Sequence, residues 1–149
     1  MHYEARIEIS APPARIWRIL TDAAGITSWD SGIDRIDGRI APGERITLYS
    51  RVSPGRPFKL TVAEFEEPHR MVWRGGMPLG LFTGVRTYTL TPRGPFTSFA
   101  MREEFSGLML PLIRGGMPDL GPSFQQFARG LKAAAETALP VPGDSERQN

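Results

Sequence analysis

The sequence contains no cysteine and only two histidines among its 149 residues. Disulfide bonds, thiolate metal sites and cysteine nucleophiles are therefore excluded. Because only His2 and His69 carry imidazole, the chain cannot build a multi-histidine metal cluster. The composition implies neither a bound metal nor an organic cofactor.

Long apolar runs and an excess of charge of one sign are also missing. The longest apolar run, residues 108–113, includes Pro111 and is far shorter than the roughly 20 residues of a membrane-spanning helix. No basic stretch followed by an apolar one opens the chain, which predicts no signal peptide. Lys and Arg number 18 against 16 Asp and Glu, and this balance is typical of proteins without a nucleic-acid partner. We therefore expect a cytoplasmic protein without integral membrane association.

A chain of 149 residues is long enough for one domain with a solid core or with a core that encloses a cavity. From His2 to Ile9 apolar and polar residues alternate, which is typical of a half-buried strand. Six more short strands are predicted between turns that contain Gly and Pro. They span residues 33–40, 45–52, 58–65, 71–74, 83–91 and 97–106.

Helices are predicted after the first strand and near the C-terminus. Pro12 and Pro13 end the first strand and open a helix whose apolar residues, from Ile16 to Ala23, recur at helical spacing. Residues 22–30 are interpreted as a second short helix or a turn. Asp119 can cap a long final helix with one continuous apolar stripe. The stripe consists of Leu120, Phe124, Phe127, Leu131, Ala134 and Ala138.

The predicted element order is a strand, two short helices, six strands and a long helix. This order predicts an α+β fold, in which a curved, antiparallel, seven-stranded sheet carries the long helix across its concave face. We expect the domain to span residues 1–139. Residues 140–149 contain two prolines and mostly polar side chains, so they are expected to form a flexible tail.

Four motifs follow one another along these elements. They are Ile9 to Trp17 with Leu20-Thr21-Asp22, Glu67 to Trp73 at a strand start, Tyr88 to Pro92 at a strand end, and Glu103 to Leu108 before the last helix. In this order they resemble the SRPBCC superfamily of START and birch-pollen-allergen-like helix-grip proteins, in particular its polyketide cyclase/dehydrase-like branch. The resemblance covers about residues 3–138 and implies a deep apolar cavity between the sheet and the long helix that binds a hydrophobic small molecule.

The helix-grip fold does not imply one chemistry, because it hosts carriers, receptors and enzymes alike. Three functions stay open at this point. The first is binding of a lipid- or polyketide-like molecule, and the second is catalysis as a cofactor-independent polyketide cyclase or dehydratase. The third is a co-chaperone-like protein-interaction module. A binding protein of this kind is expected to be a monomer or a homodimer.

Strand parity identifies polar residues that share a face with apolar neighbours. Glu103 is in phase with Phe99 and Met101, and Arg86 is in phase with Tyr88. If these faces point inward, a cyclase can use the three polar groups to enolise a carbonyl or to stabilise an oxyanion. The alternative is that Glu103 lies in solvent, with Arg86 beside it at the rim. Glu103, Arg86 and Tyr88 are thus the candidate catalytic residues.

Apolar residues of the strands, the long helix and two loops are the candidate ligand contacts. The loops, residues 77–82 and 108–113, are apolar where a polar connection is usual, and each is interpreted as a lid or a protein-contact surface. Gly130 costs the long helix about 1 kcal/mol relative to Ala, so it either makes room for a ligand or is merely tolerated. The candidate contacts are Trp73, Met77, Phe82, Tyr88, Phe99, Met101, Leu110, Phe124, Phe127 and Leu131.

Overall fold

Seven strands and three helices follow one another along residues 1–137, the part of the chain that this computed structural model describes. The predicted tail, residues 140–149, and Ala138 of the apolar stripe lie outside the described residues. In chain order the elements are β1 (His2–Ile9), α1 (Pro13–Leu20), β2 (Ile33–Asp37), β3 (Arg45–Ser50), β4 (Pro57–Glu66), β5 (Arg70–Met77), β6 (Phe82–Arg93), β7 (Phe96–Ser106), α2 (Leu110–Ile113), a single 3₁₀ turn (Arg114–Gly116) and α3 (Gly121–Glu136).

The strands form one sheet in the order β1-β7-β6-β5-β4-β3-β2, and all neighbours are antiparallel. The helix α3 packs against β1 and β7 at one side of the sheet. Its buried residues include Phe124, Phe127 and Leu131, three members of the predicted apolar stripe. The predicted α+β helix-grip fold is confirmed.

The structure differs from the sequence prediction at several element boundaries. Residues 22–30 form turns rather than a second helix, and the Asp22 carboxylate accepts a hydrogen bond from the Gly25 N–H at 3.1 Å. The strand β5 continues past residue 74, because Gly75 and Gly76 keep their pairing with β6. The predicted loop 108–113 contains the short helix α2. The N-cap position of α3 is Leu120 and not Asp119, although the Asp119 carboxylate accepts a hydrogen bond from the Gly121 N–H at 2.9 Å.

The two longer helices are tied together by a buried cation. Arg15 of α1 is 9% exposed, and its Nε donates to the Ala135 carbonyl oxygen at 2.7 Å. Its Nη2 donates to the carbonyl of Thr137 at 3.3 Å. A cation at a helix C-terminus satisfies carbonyls that have no partner within the helix and interacts favourably with the helix dipole. Arg15 therefore holds the end of α3 against α1.

Gly130 allows α3 to contact the backbone of the turn that precedes β2. A Cβ atom at this position would overlap the carbonyl of Asp30 and lie 3.2 Å from the Trp29 ring. The glycine thus makes room for a neighbouring main chain. This explanation replaces both sequence-based interpretations, room for a ligand and mere tolerance.

We expect Gly130→Ala to lower the free energy of unfolding by about 1.5 kcal/mol, because α3 must move away from Asp30. Helix propensity predicts the opposite sign, a gain of about 1 kcal/mol. Urea denaturation measures the difference. Ala133→Gly, at an exposed position of the same helix, is the control and should lose about 1 kcal/mol. A Gly130→Ala protein that is more stable than the wild type would contradict the contact.

Candidate functional site

A cavity of about 760 Å³ lies between α3 and the strands β2 to β7. It is partly open, and exposed residues such as Arg56, Phe58 and Met77 lie at its mouth. Apolar side chains make up most of the wall. They include Ile33, Leu48, Phe58, Leu60, Met77, Phe82, Met101, Phe105, Ile113, Leu120, Phe124 and Phe127.

Two glycines that face each other across adjacent strands lie in the cavity wall. Gly75 of β5 pairs with Gly84 of β6, and their outer neighbours in the same row are Leu60 and Phe105. A Cβ at Gly84 would lie 3.1 Å from Glu103 Oε2, and one at Gly75 would lie 2.7 Å from the Lys59 carbonyl oxygen. Because the middle of this row has no side chains, Leu60, Glu103 and Phe105 can lie close against the sheet at the cavity wall.

An ion pair lies in the otherwise apolar wall. Arg86 of β6 and Glu103 of β7 are directly opposite in register. The Nε and Nη2 atoms of Arg86 donate to Glu103 Oε1 at 2.8 and 2.5 Å. The two side chains are only 16% and 10% exposed, and the Arg86 guanidinium carbon lies 5.0 Å from the centre of the Phe124 ring. Glu103 therefore points inward, and the alternative of a solvent-exposed carboxylate is wrong.

The electrostatics of this pair favour a permanently charged guanidinium. Burial by itself would lower the pKa of Arg86, but the Glu103 carboxylate and the Tyr88 hydroxyl together outweigh burial, so the pKa is raised. Glu103 Oε2 accepts no hydrogen bond from the described residues and lies beside Gly84 at the cavity wall. The site thus combines a fixed cation with a carboxylate oxygen that is available to a bound molecule.

The inner end of the space between sheet and helix is filled by aromatic side chains. Tyr88 is fully buried, with ring centres 5.0 Å from Trp73, 5.9 Å from Phe127 and 6.3 Å from Phe99. Trp73, Tyr88, Phe99 and the fully buried Leu131 are therefore core residues outside the cavity wall. Of the ten predicted contacts, the cavity wall contains Met77, Phe82, Met101, Phe124 and Phe127.

The buried hydroxyl of Tyr88 has no hydrogen-bond partner among the described residues. Burial raises its pKa, and the nearby Arg86 guanidinium partly opposes this shift. The folded state then keeps this proton at a pH where the unfolded chain loses it. The contribution of Tyr88 to stability is therefore complete below the ordinary tyrosine pKa of about 10 and is lost as the pH rises above it.

We expect Tyr88→Phe to raise the free energy of unfolding by about 1 kcal/mol at neutral pH, because it removes a buried hydroxyl without a partner. The advantage over the wild type should increase as the pH rises above about 10, where the wild type alone loses the Tyr88 contribution. Urea denaturation at each pH gives both values. A variant that loses more than about 1 kcal/mol would show that the hydroxyl makes a stabilising hydrogen bond.

Sequence reasoning missed the contribution of β3 and β4 to the cavity. Leu48 and Ser50 of β3, and Phe58 and Leu60 of β4, lie in the wall. On each strand these residues are two apart, so strand parity contained the signal. Ser123 was missed as well, because it is a polar residue beside the apolar stripe of α3.

The two apolar loops lie side by side at the cavity mouth. The Met109 N–H donates to the Leu81 carbonyl at 2.7 Å, and Gly107, at φ +119°, permits this close approach. Met77, Phe82 and Ile113 reach the cavity wall from these loops. Leu110 is part-exposed and is not in the wall, because α2 directs Ile113 there instead.

Two further features are absent from residues 1–137. This part of the chain has no group of three or more His, Asp or Glu side chains arranged to hold a metal ion. Within the same residues, no helix combines the length and the apolar character needed to cross a membrane.

The sequence matches the family described as "Polyketide cyclase / dehydrase and lipid transport" over residues 1–136. The chain therefore belongs to this family, a member of the SRPBCC superfamily that the motifs predicted. No curated protein matches the sequence significantly.

Solved structures share the fold at low sequence identity. A hypothetical protein from Helicobacter pylori is 16% identical, with a TM-score of 0.73 over 91% of this chain and 88% of that one. The di-domain ARO/CYC BexL from the BE-7585A biosynthetic pathway is 14% identical, with a TM-score of 0.69 over 93% of this chain and 51% of that one. Truncated norcoclaurine synthase from Thalictrum flavum is 14% identical, with a TM-score of 0.66 over 93% of this chain and 95% of that one. At these identities, the similarity establishes the fold alone.

Proposed function

We propose that this protein binds a hydrophobic small molecule, lipid-like or polyketide-like, between the sheet and α3. The observation that carries the proposal is the mostly apolar cavity of about 760 Å³, well above the roughly 300 Å³ at which small-molecule sites begin. Family membership supports the same class of ligand. The Arg86–Glu103 pair would orient a polar group of the ligand at the wall.

Binding of N-phenyl-1-naphthylamine, a dye that fluoresces in apolar surroundings, tests this proposal. We expect saturable fluorescence enhancement and, in native mass spectrometry, a mass adduct of one dye per chain. Displacement of the dye by oleic acid would favour a lipid-like ligand, and displacement by a fused-ring anthraquinone a polyketide-like one. The absence of both enhancement and adduct would contradict the proposal.

A second candidate function, cofactor-independent cyclisation or dehydration, is favoured by the inward position of Arg86 and Glu103. In such a reaction Glu103 Oε2 would take a proton from the carbon beside a ketone, and Arg86 would stabilise the enolate oxygen. The enolate carbon would then attack a second carbonyl, whose oxygen receives the proton back from Glu103. Elimination of that hydroxyl with a neighbouring proton, as water, would complete a dehydration.

Deuterium exchange at the methyl group of 1-acetonaphthone in D₂O, followed by proton NMR, tests the first step. For an enzyme we expect exchange at least about tenfold above buffer, and Glu103→Gln should reduce it to the buffer rate. Glu104→Gln, one residue away on the opposite face and exposed, is the matched control. Equal exchange by the wild type and Glu103→Gln would exclude a role of Glu103 in proton transfer.

The cytoplasmic location and the monomeric or homodimeric state stay predictions. Sedimentation velocity of the purified chain tests the second. A monomer or dimer is expected for a binding protein, whereas larger assemblies would contradict it.

A further inference from the structure

The end of the molecule at which the cavity opens carries most of the exposed large apolar side chains of residues 1–137. Leu79, Leu108 and Leu112 are 93%, 81% and 77% exposed and lie on the two adjacent apolar loops. A group of large apolar side chains exposed together is typical of a surface that contacts another protein or a membrane. We call the following residues the mouth rim: Val52, Phe58, Met77, Leu79, Leu108 and Leu112.

The sequence segments around the mouth rim contain positive but no negative charges. Residues 45–63, 68–102 and 105–118 include no Asp or Glu. Arg56, which lines the cavity mouth, and Arg114, which follows α2, are exposed and make no salt bridge with any residue in 1–137. The exposed leucines of the loops and two arginines without a salt bridge therefore lie at the same end of the molecule.

These two features together match an anionic lipid surface better than a second copy of the chain. Exposed leucines on loop tips can enter the boundary between headgroups and acyl chains, while nearby cations are attracted to anionic headgroups. A dimer through the mouth rim would instead bring Arg56 and Arg114 of both copies together, and like charges at an interface are unfavourable.

We propose that the mouth rim docks this protein peripherally on an anionic lipid bilayer, with the cavity mouth facing the membrane. The proposal rests on the exposed leucines and unpaired arginines and is independent of what the cavity binds. Docking in this orientation would let an apolar molecule pass between bilayer and cavity with little exposure to water.

Co-sedimentation with unilamellar vesicles tests the docking. We expect the full chain to bind vesicles that contain about one-third phosphatidylglycerol in phosphatidylcholine, and to bind pure phosphatidylcholine vesicles much more weakly. Binding should weaken as salt is added, because salt screens the attraction between exposed charges. The absence of binding to the anionic vesicles at low salt would overturn the proposal.

Variants separate the two contributions to docking. Arg56→Gln with Arg114→Gln should lower the partition coefficient on anionic vesicles about 25-fold, or about fivefold for each arginine. Leu79→Ser with Leu108→Ser should lower it at least about tenfold. The matched control is Arg93→Gln with Phe96→Ser, at the exposed β6–β7 turn on the opposite end of the sheet, and it should leave binding unchanged.

A control that loses as much binding as the rim variants would overturn the docking surface. A dimer that forms without vesicles and is abolished by Leu79→Ser with Leu108→Ser would make the rim a protein interface and would also overturn it. Binding of N-phenyl-1-naphthylamine, measured without vesicles, shows separately whether each variant still binds a ligand in the cavity. Neither Leu79 nor Leu108 lies in the cavity wall, so the leucine variant should bind the dye like the wild type.

Discussion

Replacing Ser123 by Trp is expected to weaken binding of N-phenyl-1-naphthylamine more than about thirtyfold, or about 2 kcal/mol. Ser123 lies on α3 and lines the cavity beside Phe124. An indole at this position would occupy space that the dye needs, because an aromatic side chain of this kind buries about 150–250 Å². Ser123 is only partly buried, so the new side chain has room to enter without large cost to folding.

Gln125→Trp is the matched control for this substitution. Gln125 lies two residues further along α3, is exposed and is not in the cavity wall. The Gln125→Trp protein should bind the dye like the wild type and unfold at a similar urea concentration. If Ser123→Trp and Gln125→Trp bind the dye equally well, the dye does not occupy the cavity.

Arg86→Met is expected to lower the free energy of unfolding by about 3 kcal/mol. The substitution leaves the Glu103 carboxylate, whose side chain is 10% exposed, in an apolar wall without its cation. Removing one member of a buried ion pair typically costs about 3–5 kcal/mol, and the residual exposure of this pair places the loss at the lower end. Urea denaturation measures the loss.

The double variant Arg86→Met with Glu103→Leu distinguishes an unpaired charge from lost packing. We expect it to recover most of the stability, because two apolar groups of similar size can replace a buried pair at little cost. If the double variant is as unstable as the single one, the loss comes from packing of the Arg86 stem and not from the charge of Glu103.

Strand parity predicted which side chains share a face of the sheet, but it left open whether Glu103 points inward or lies in solvent. Glu103 is in phase with Met101 and Phe105, and all three lie on the helix-facing side of β7. The period of two is a property of the strand itself, so no knowledge of the partner strands is needed. The long helix was predictable for the same kind of reason, because its apolar stripe follows the helical period.

Parity does not tell how far along a strand the cavity extends. Trp73, Tyr88 and Phe99 share the inward face with residues of the wall, but they lie where Phe127 of α3 fills the space. That distinction depends on where the helix crosses the sheet, which is a tertiary property. A local sequence pattern carries no information about it.

The glycines show a second kind of limit. Gly75 and Gly84 are visible in the sequence, but their pairing across β5 and β6 depends on register. Gly130 likewise contacts Asp30, one hundred residues away in the chain. Contacts of this kind arise only once the fold brings the segments together, so they could not be predicted from the sequence.

A crystal structure of the protein with N-phenyl-1-naphthylamine tests the central claim most directly. The account predicts one dye molecule between Gly84 of the sheet and Phe124 of α3, in contact with Met101. It would be contradicted by a structure in which Met101, Phe105 and Phe124 close over the glycines and the dye lies only on the outer surface.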